Sequence, residues 1–225
     1  MHKQFLLPPA FDYSATFLWA ITGALLGAKR GYAILGIITI ALVSSTGGGL
    51  LRDGLFLRNG PPVLLQTPVY LLIIAAAVLL VVFFGRWVDR APQGAHLVGL
   101  VDAIGLGAYA VVGMNRALAA QISLPGVVLV GMVNAVGGGI LRDILIGEEP
   151  HMFQPGTLEE SSALIGCLLF ITVTQTLPVG QFMASWLTIG ATFFIRIAAI
   201  RFGIKSRPLK AFSDYWTNSQ VGKPG

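Results

Sequence analysis

The sequence has few charged residues and a single cysteine. Charged residues make up 11% of its 225 positions, against about a quarter in soluble globular proteins, and 55% of the positions are apolar. The mean hydropathy is +0.77. These values exclude an ordinary soluble domain and indicate a membrane protein. A disulfide-stabilised secreted domain is excluded as well, because Cys167 has no second cysteine in the chain with which to pair.

The short motifs that commonly carry catalysis or metal binding are also missing. There is no HExxH, CxxC, GxSxG or Walker-type loop, and the three histidines, His2, His96 and His151, have no ligand spacing. We therefore expect no enzymatic activity, no cofactor and no structural metal. The formal charge of +5 comes from basic residues that lie singly between apolar runs, so we expect no nucleic-acid partner.

Seven segments are long and apolar enough to cross a bilayer, which requires about 20 mainly apolar residues. The gaps between charges, prolines and glycine pairs place these segments at 11–28, 32–57, 63–85, 95–115, 121–147, 160–178 and 182–202. The sequence therefore predicts an all-α, polytopic membrane protein with seven transmembrane helices. Pro8 and Pro9 interrupt the N-terminal apolar stretch, so we do not expect a removable signal peptide.

Lysine and arginine are distributed unevenly between the two sides of this topology. Four of the 15 lie on the side of the N-terminus, and eleven lie on the other side, including all six from Arg196 onward. Cytoplasmic loops collect basic residues, so we expect the N-terminus outside and the C-terminus in the cytoplasm. The basic tail at 203–225 suits an anionic lipid surface; partial disorder of this tail is the alternative.

One part of the sequence repeats at an offset of 90 residues. GGGLLRD at 47–53 recurs as GGGILRD at 137–143, and ungapped alignment gives 12 identities in the 44 positions from Asp12 to Leu55. Each copy contains three spans, and an odd number of spans reverses the direction of the chain, so the second copy is inverted. The prediction is two three-helix repeats, a seventh helix and a tail, at 11–85, 95–178, 182–202 and 203–225.

Each copy of the motif begins with three glycines inside an apolar span. A glycine costs about 1 kcal/mol relative to alanine in a helix, so the triplets need an explanation. One explanation is close helix packing; the other is that the helices open at the triplets and expose backbone groups to a hydrated cavity. The candidate pore-lining or kink residues are Gly47, Gly48, Gly49, Gly137, Gly138, Gly139, Ser44, Ser45, Thr46 and Asn134. Serine hydroxyls in such helices also bond back to their own carbonyls.

Charged residues within the predicted spans form a second group of candidates. An arginine or aspartate in the apolar slab costs about 2.5 to 3.5 kcal/mol unless it is paired or wetted; the alternative is that the Arg-Asp pairs mark the membrane edge. Asp102 is predicted to face inward, whereas its equivalent, Asp12, lies near a helix start, where an aspartate is also a good cap. The candidates for charge pairs or gating are Arg52, Asp53, Arg142, Asp143, Asp102 and Asp12.

With the duplication, the seventh helix and the two GGG[LI]LRD motifs, the sequence resembles the bacterial branch of the trimeric intracellular cation (TRIC) channels, from roughly Asp12 to Arg201. Bacterial relatives are also catalogued as a glycine-transporter domain. The resemblance implies a homotrimer in the cell inner membrane, in which each protomer conducts monovalent cations, chiefly potassium. It also implies that the second and fifth helices line the pore, are kinked at the glycine triplets and carry the charge pairs beside the path. The basic lipid-binding motif of the animal members is absent, so lipid gating is not implied.

Two functions remain open at this point. The first is a potassium or sodium channel, with the lipid bilayer, a homotrimer and monovalent cations as partners. Arg52 and Arg142 would repel a cation unless the neighbouring aspartates offset them or the side chains swing aside, which makes these arginines candidate gates. The second is a carrier for a small solute such as glycine that works by alternating access. A scaffold without transport explains the helices but not the charges within the spans.

Overall fold

The computed structural model describes residues 9–58, 60–90, 94–153 and 159–204, and every regular element within these ranges is helical. Seven long helices lie close to the seven predicted segments, which confirms the all-α membrane fold class. The elements are α1 (Pro9–Lys29), α2 (Ile34–Leu51) with a π-helical continuation (Arg52–Leu57), α3 (Val63–Gln66), α4 (Val69–Arg90), α5 (Gly94–Ala119), α6 (Leu124–Leu145), a 3-10 turn (His151–Phe153), α7 (Glu159–Thr176) and α8 (Gln181–Arg201).

The third predicted segment, 63–85, is not one helix. A single turn, α3, ends before Thr67, which has extended backbone dihedrals (φ −136°, ψ 137°), and α4 begins after Pro68. A residue that precedes a proline is disfavoured in the α conformation, because the proline ring clashes with its backbone. The proline therefore ends the first turn and restarts the helix, although the whole segment is apolar.

Three helices of the described residues are long and apolar enough to cross a membrane, judged by length and composition: Ile34–Leu57, Leu124–Leu145 and Gln181–Arg201. Shorter apolar helical stretches occur at Val69–Gly85, Ala103–Ala119 and Ser161–Thr176. The count of seven spans stays a prediction.

The 90-residue repeat of the sequence is also a repeat of local structure. The turn after α1 contains Gly31 at φ 71°, and the turn after α5 contains Gln121 at φ 57°. The Gly31 N–H donates to the Ala28 carbonyl at 3.0 Å, and the Gln121 N–H donates to the Leu118 carbonyl at the same distance. A left-handed residue that closes a helix in this way is a common C-terminal cap, and here it occurs at equivalent positions of both copies.

The central helices of the two copies run antiparallel. Arg116, near the end of α5, lies 3.6 Å from the Asp12 carboxylate in the first turn of α1, so these helices point in opposite directions. At the other end of α1, Arg30 pairs with Glu148, which follows α6. The predicted inversion is therefore seen in α1, α2, α5 and α6. The boundaries of the predicted repeats stay predictions, and the tail beyond Ile204 lies outside the described residues.

The remaining helices pack around this centre. α4 covers α1 and α2 on one side, whereas α7 and α8 pack against each other and against α5. A first apolar cluster lies among α1, α5, α6, α7 and α8, and a second lies among α1, α2 and α4. The crossing of α2 and α6 consequently lies where the two copies meet.

Candidate functional site

Both glycine triplets lie within continuous helix. α2 extends through its triplet to Leu51, and α6 extends through its triplet to Leu145. The prediction that the helices open at Gly47–Gly49 and Gly137–Gly139 and free their backbone groups is therefore wrong. Their assignment as pore-lining or kink residues stays a prediction. The departure from α-helical geometry comes later, at Arg52, where a π-helical segment begins.

The first two glycines of each triplet allow α2 and α6 to touch through their backbones. A Cβ atom added to Gly48 would lie well under 3.0 Å from the carbonyl oxygen of Asn134, and one added to Gly138 would meet the carbonyl oxygen of Ser44 in the same way. These contacts are equivalent under the 90-residue repeat. Close packing through missing side chains is thus the physical reason for these glycines.

The third glycine of each triplet faces the arginine that follows it. A Cβ atom on Gly49 would lie 3.6 Å from the Arg52 Nη2 atom. A Cβ atom on Gly139 would lie 3.9 Å from Arg142 Nη2 and 3.8 Å from a ring carbon of Trp19. In both copies the arginine side chain lies close to the third glycine, but in the second copy the Trp19 ring lies there as well.

Each arginine pairs with the aspartate that follows it. Arg52 donates to both Asp53 carboxylate oxygens, with Nε–Oδ1 at 2.6 Å and Nη2–Oδ2 at 3.0 Å. Arg142 Nε donates to Asp143 Oδ1 at 2.9 Å. Arg52 is 3% exposed, and both aspartates are also buried. The first pair therefore lies inside the protein, whereas in the second pair the aspartate is buried and the Arg142 side chain is 17% exposed. In both pairs the long arginine side chain folds back onto its neighbour.

Asn134 connects three helices. Its Nδ2 atom donates to the Tyr109 carbonyl on α5 at 2.6 Å, and its Oδ1 atom accepts from Arg52 Nη1 on α2 at 3.1 Å. Since both ends of the amide are engaged, Asn134 fixes the position of the Arg52 guanidinium. Asn134 is a candidate from the sequence, but its bridging contacts join helices far apart in the chain and leave no pattern there.

The hydroxyl residues before the first triplet bond back to their own helix. Ser45 Oγ donates to the Ala41 carbonyl at 2.7 Å, and Thr46 Oγ1 donates to the Leu42 carbonyl at 2.6 Å. Both residues also line a cavity, and their assignment as pore-lining residues stays a prediction. Ser44 is buried at the α2–α6 crossing.

A cavity of about 30 Å³, called the polar cavity because most of its lining residues are polar, lies among α1, α2, α3, α4 and α5, beside the crossing. A volume of this size holds about two waters when polar partners are present. Its polar lining residues are Asp12, Asp53, Arg52, Thr46, Tyr70, Tyr109, Thr16 and Ser45. Two carboxylates and one guanidinium therefore face the same small space.

Two tyrosines that the sequence did not indicate as site residues form hydrogen bonds between the helices that surround the cavity. Tyr70 donates from its hydroxyl to Asp12 Oδ2 at 2.6 Å, and Tyr109 donates to the Ser45 carbonyl at 2.5 Å. Asp12 thus lines the cavity besides lying in the first turn of α1. Tyr70 is not repeated in the second copy, because the position 90 residues later, 160, is a glutamate, so the repeat did not indicate that Tyr70 belongs to the site. The side chain of Asp102, the carboxylate expected to face inward, lies outside the described residues.

A known protein family matches each of the two copies of the repeat separately. The family described as Glycine transporter matches residues 9–86 and 99–175, and these segments begin 90 residues apart. The UPF0126 inner membrane protein YadS of Escherichia coli (strain K12) is 30% identical over 194 residues, which is 86% of this chain and 92% of that protein.

Solved channel structures share the fold. One, determined as a structural basis for conductance through TRIC cation channels, has a TM-score of 0.78 and 28% identity, and covers 88% of this chain and 95% of its own. The TRIC trimeric intracellular cation channel orthologue from Rhodobacter sphaeroides has a TM-score of 0.78 and 27% identity, with 87% and 97% covered.

Proposed function

The chain belongs to the Glycine transporter family, and from that premise we propose that it is a channel for monovalent cations. Its relatives are membrane proteins and channels, and like them it is a membrane protein and not an enzyme. The proposal includes potassium as the main permeant ion and a separate path in each protomer between α2 and α6. The TRIC cation channels of the same fold support it.

The observation that carries the proposal is the polar cavity beside the α2–α6 crossing. Its lining contributes two carboxylates, from Asp12 and Asp53, against one guanidinium, from Arg52. The charge of Arg52 is compensated by its bidentate pairing with Asp53, so the repulsion of a cation by this arginine is offset. Hydroxyl oxygens and carboxylates are hard ligands of the kind that alkali cations accept when they lose water.

Charged groups also lie toward the ends of the proposed path. Asp12 and Arg116 lie at the α1 start, and Arg142 and Asp143 lie near the C-terminal end of α6. Between them, the two helices touch at the first two glycines of each triplet. Conduction therefore requires a rearrangement at this crossing, and the proposal assigns Arg52 and Arg142 as the movable gates.

The assembly and location of the chain are part of the same proposal. We assign a homotrimer in the cell inner membrane, with the N-terminus outside and the C-terminus in the cytoplasm. The name of the Escherichia coli relative and the trimeric description of the Rhodobacter sphaeroides channel support the location and the trimer. The lysine and arginine distribution supports the orientation. The protomer is divided into repeats at 11–85 and 95–178, a helix at 182–202 and a tail at 203–225.

A flux assay on reconstituted protein tests the proposal. Liposomes that contain the wild-type chain should release potassium down its gradient, and Thr46→Leu should abolish the release, because leucine fills the cavity with apolar volume. Thr39→Leu is the matched control, since Thr39 lies on the same helix and is exposed, and it should leave the flux unchanged. A Thr46→Leu protein that assembles and conducts like the wild type would contradict the proposed path.

The alternative function is a carrier for a small solute such as glycine. The description of the family favours it, and the same site between inverted repeats serves carriers with alternating access. Saturable uptake of labelled glycine with counterflow, without potassium flux from the same liposomes, would establish the carrier and refute the channel.

A further inference from the structure

The polar residues that line the cavity belong to the first copy of the repeat, with the exception of Tyr109 from the second copy. Thr16, Ser45 and Thr46 line the cavity, and 90 residues later the equivalent positions are Leu106, Ala135 and Val136. The Arg-Asp pair, in contrast, is present in both copies. The two halves of the proposed path therefore have the same charges but different linings.

The aromatic residues at the two equivalent mid-span positions also differ. Tyr109 borders the cavity of the first copy, and its repeat equivalent is Trp19. Trp19 lies ten residues after Pro9, about 15 Å along α1 at 1.5 Å per residue, which is close to the middle of the hydrocarbon core. The two rings meet edge to face, with centroids 5.5 Å apart.

Trp19 fills the space that is open in the first copy. The indole covers Gly138 and Gly139, where added Cβ atoms would lie 3.6 Å and 3.8 Å from ring carbons, and its nitrogen lies against Gly105 on α5. At the equivalent Gly49, Arg52 is the one residue of the described ranges, apart from the helix's own nearby backbone, that lies within 4 Å of an added Cβ atom. The ring is 5% exposed, contacts the Tyr109 ring that borders the cavity, and lies beside Gly139, which Arg142 also approaches.

The two aromatic rings are held in different ways. The Tyr109 hydroxyl donates to the Ser45 carbonyl. The Trp19 indole N–H is buried and has no hydrogen-bond partner in the part of the chain that the structure describes. Packing therefore holds the indole in place, and a side-chain rotation breaks no hydrogen bond among these residues.

We propose that Trp19 is an apolar plug that separates the polar cavity of the first copy from the Arg142–Asp143 pair of the second. The proposal rests on the cation-channel function, and it places the barrier to ions on one side of the α2–α6 crossing. Conduction then requires the indole to leave the surface formed by Gly138 and Gly139.

Removal of the ring tests the plug by flux. Trp19→Ala should raise the potassium flux severalfold, and Trp19→Phe, which keeps an apolar ring of smaller size, should give an intermediate value. Trp186→Ala is the matched control for loss of a tryptophan, because Trp186 is 47% exposed on α8, and it should leave the flux unchanged. Wild-type flux from assembled Trp19→Ala and Trp19→Phe proteins would overturn the plug and leave the channel function standing.

Cysteine accessibility gives a second readout that does not require conduction. In a Cys167→Ala background, Thr46→Cys should react with a charged methanethiosulfonate, whereas Val136→Cys should be protected until Trp19→Ala is added. Reaction of Val136→Cys with Trp19 in place, or continued protection after Trp19→Ala, would overturn the plug. The expected accessibility pattern without any potassium flux would retain the plug as a barrier to water and refute the channel.

Discussion

The contact between α2 and α6 predicts that Gly48→Ala destabilises the protein far more than alanine normally does in a helix. The new Cβ atom would lie well under 3.0 Å from the Asn134 carbonyl oxygen, and ordinary contact begins at 3.4 Å. The obstacle is helix backbone, so the two helices must separate by about 1 Å, a change of the kind that costs about 1 to 3 kcal/mol in an overpacked core. Separation also strains the bond from Asn134 to Arg52.

Three comparisons make this prediction specific. Gly138→Ala should have the same effect, because its Cβ atom meets the Ser44 carbonyl. Gly54→Ala should be neutral or slightly stabilising, since among the described residues no side chain or other helix lies within 4 Å of its added Cβ atom. The double variant Gly48→Ala/Gly138→Ala should lose less than the sum of the single losses, because one separation relieves both clashes. Thermal unfolding of purified protein in detergent measures all four. Equal unfolding temperatures for Gly48→Ala and Gly54→Ala would refute the tight crossing.

Three further predictions concern polar contacts, each measured by unfolding of the purified variant. Arg52→Met should lower the free energy of unfolding by about 3 to 5 kcal/mol, because it removes the bidentate partner of the buried Asp53 carboxylate. Arg58→Gln, at an exposed position, should lower it by less than about 0.5 kcal/mol. Equal losses of stability in the two variants would contradict the burial of the Arg52–Asp53 pair. Tyr70→Phe removes a hydrogen bond to a carboxylate and should cost about 1.5 to 3 kcal/mol, so unchanged stability would show that this bond contributes nothing. Glu148→Gln breaks a pair that is 36% and 41% exposed and should cost less than about 1 kcal/mol; a larger loss would indicate a desolvated pair.

The helices and their inversion could be predicted because they depend on local composition and on the repeat. Apolar length marks the spans, and the 90-residue offset fixes the relation of α1 and α2 to α5 and α6. The break at Pro68 was missed because the apolar run around it dominates any average over the segment, although the restriction on Thr67 is itself local.

The site was only partly predictable because its contacts join residues far apart in sequence. Helix propensity shows that three glycines are costly, but it does not distinguish a helix that opens from one that packs. That distinction depends on the Asn134 carbonyl, which comes from another helix. The hydrogen bond of Tyr70 to Asp12 spans 58 residues and leaves no pattern in the sequence. The difference between Trp19 and Tyr109 is visible in the alignment, but its meaning requires the helix faces to be known.

Reversal potentials of single channels in planar bilayers test the central claim most directly. Purified wild-type protein under a potassium chloride gradient should give resolvable unitary currents that reverse close to the potassium equilibrium potential and persist when sodium replaces potassium on one side. Currents that reverse at the chloride potential, or the absence of unitary currents from protein that exchanges labelled glycine, would contradict a cation path between the inverted halves.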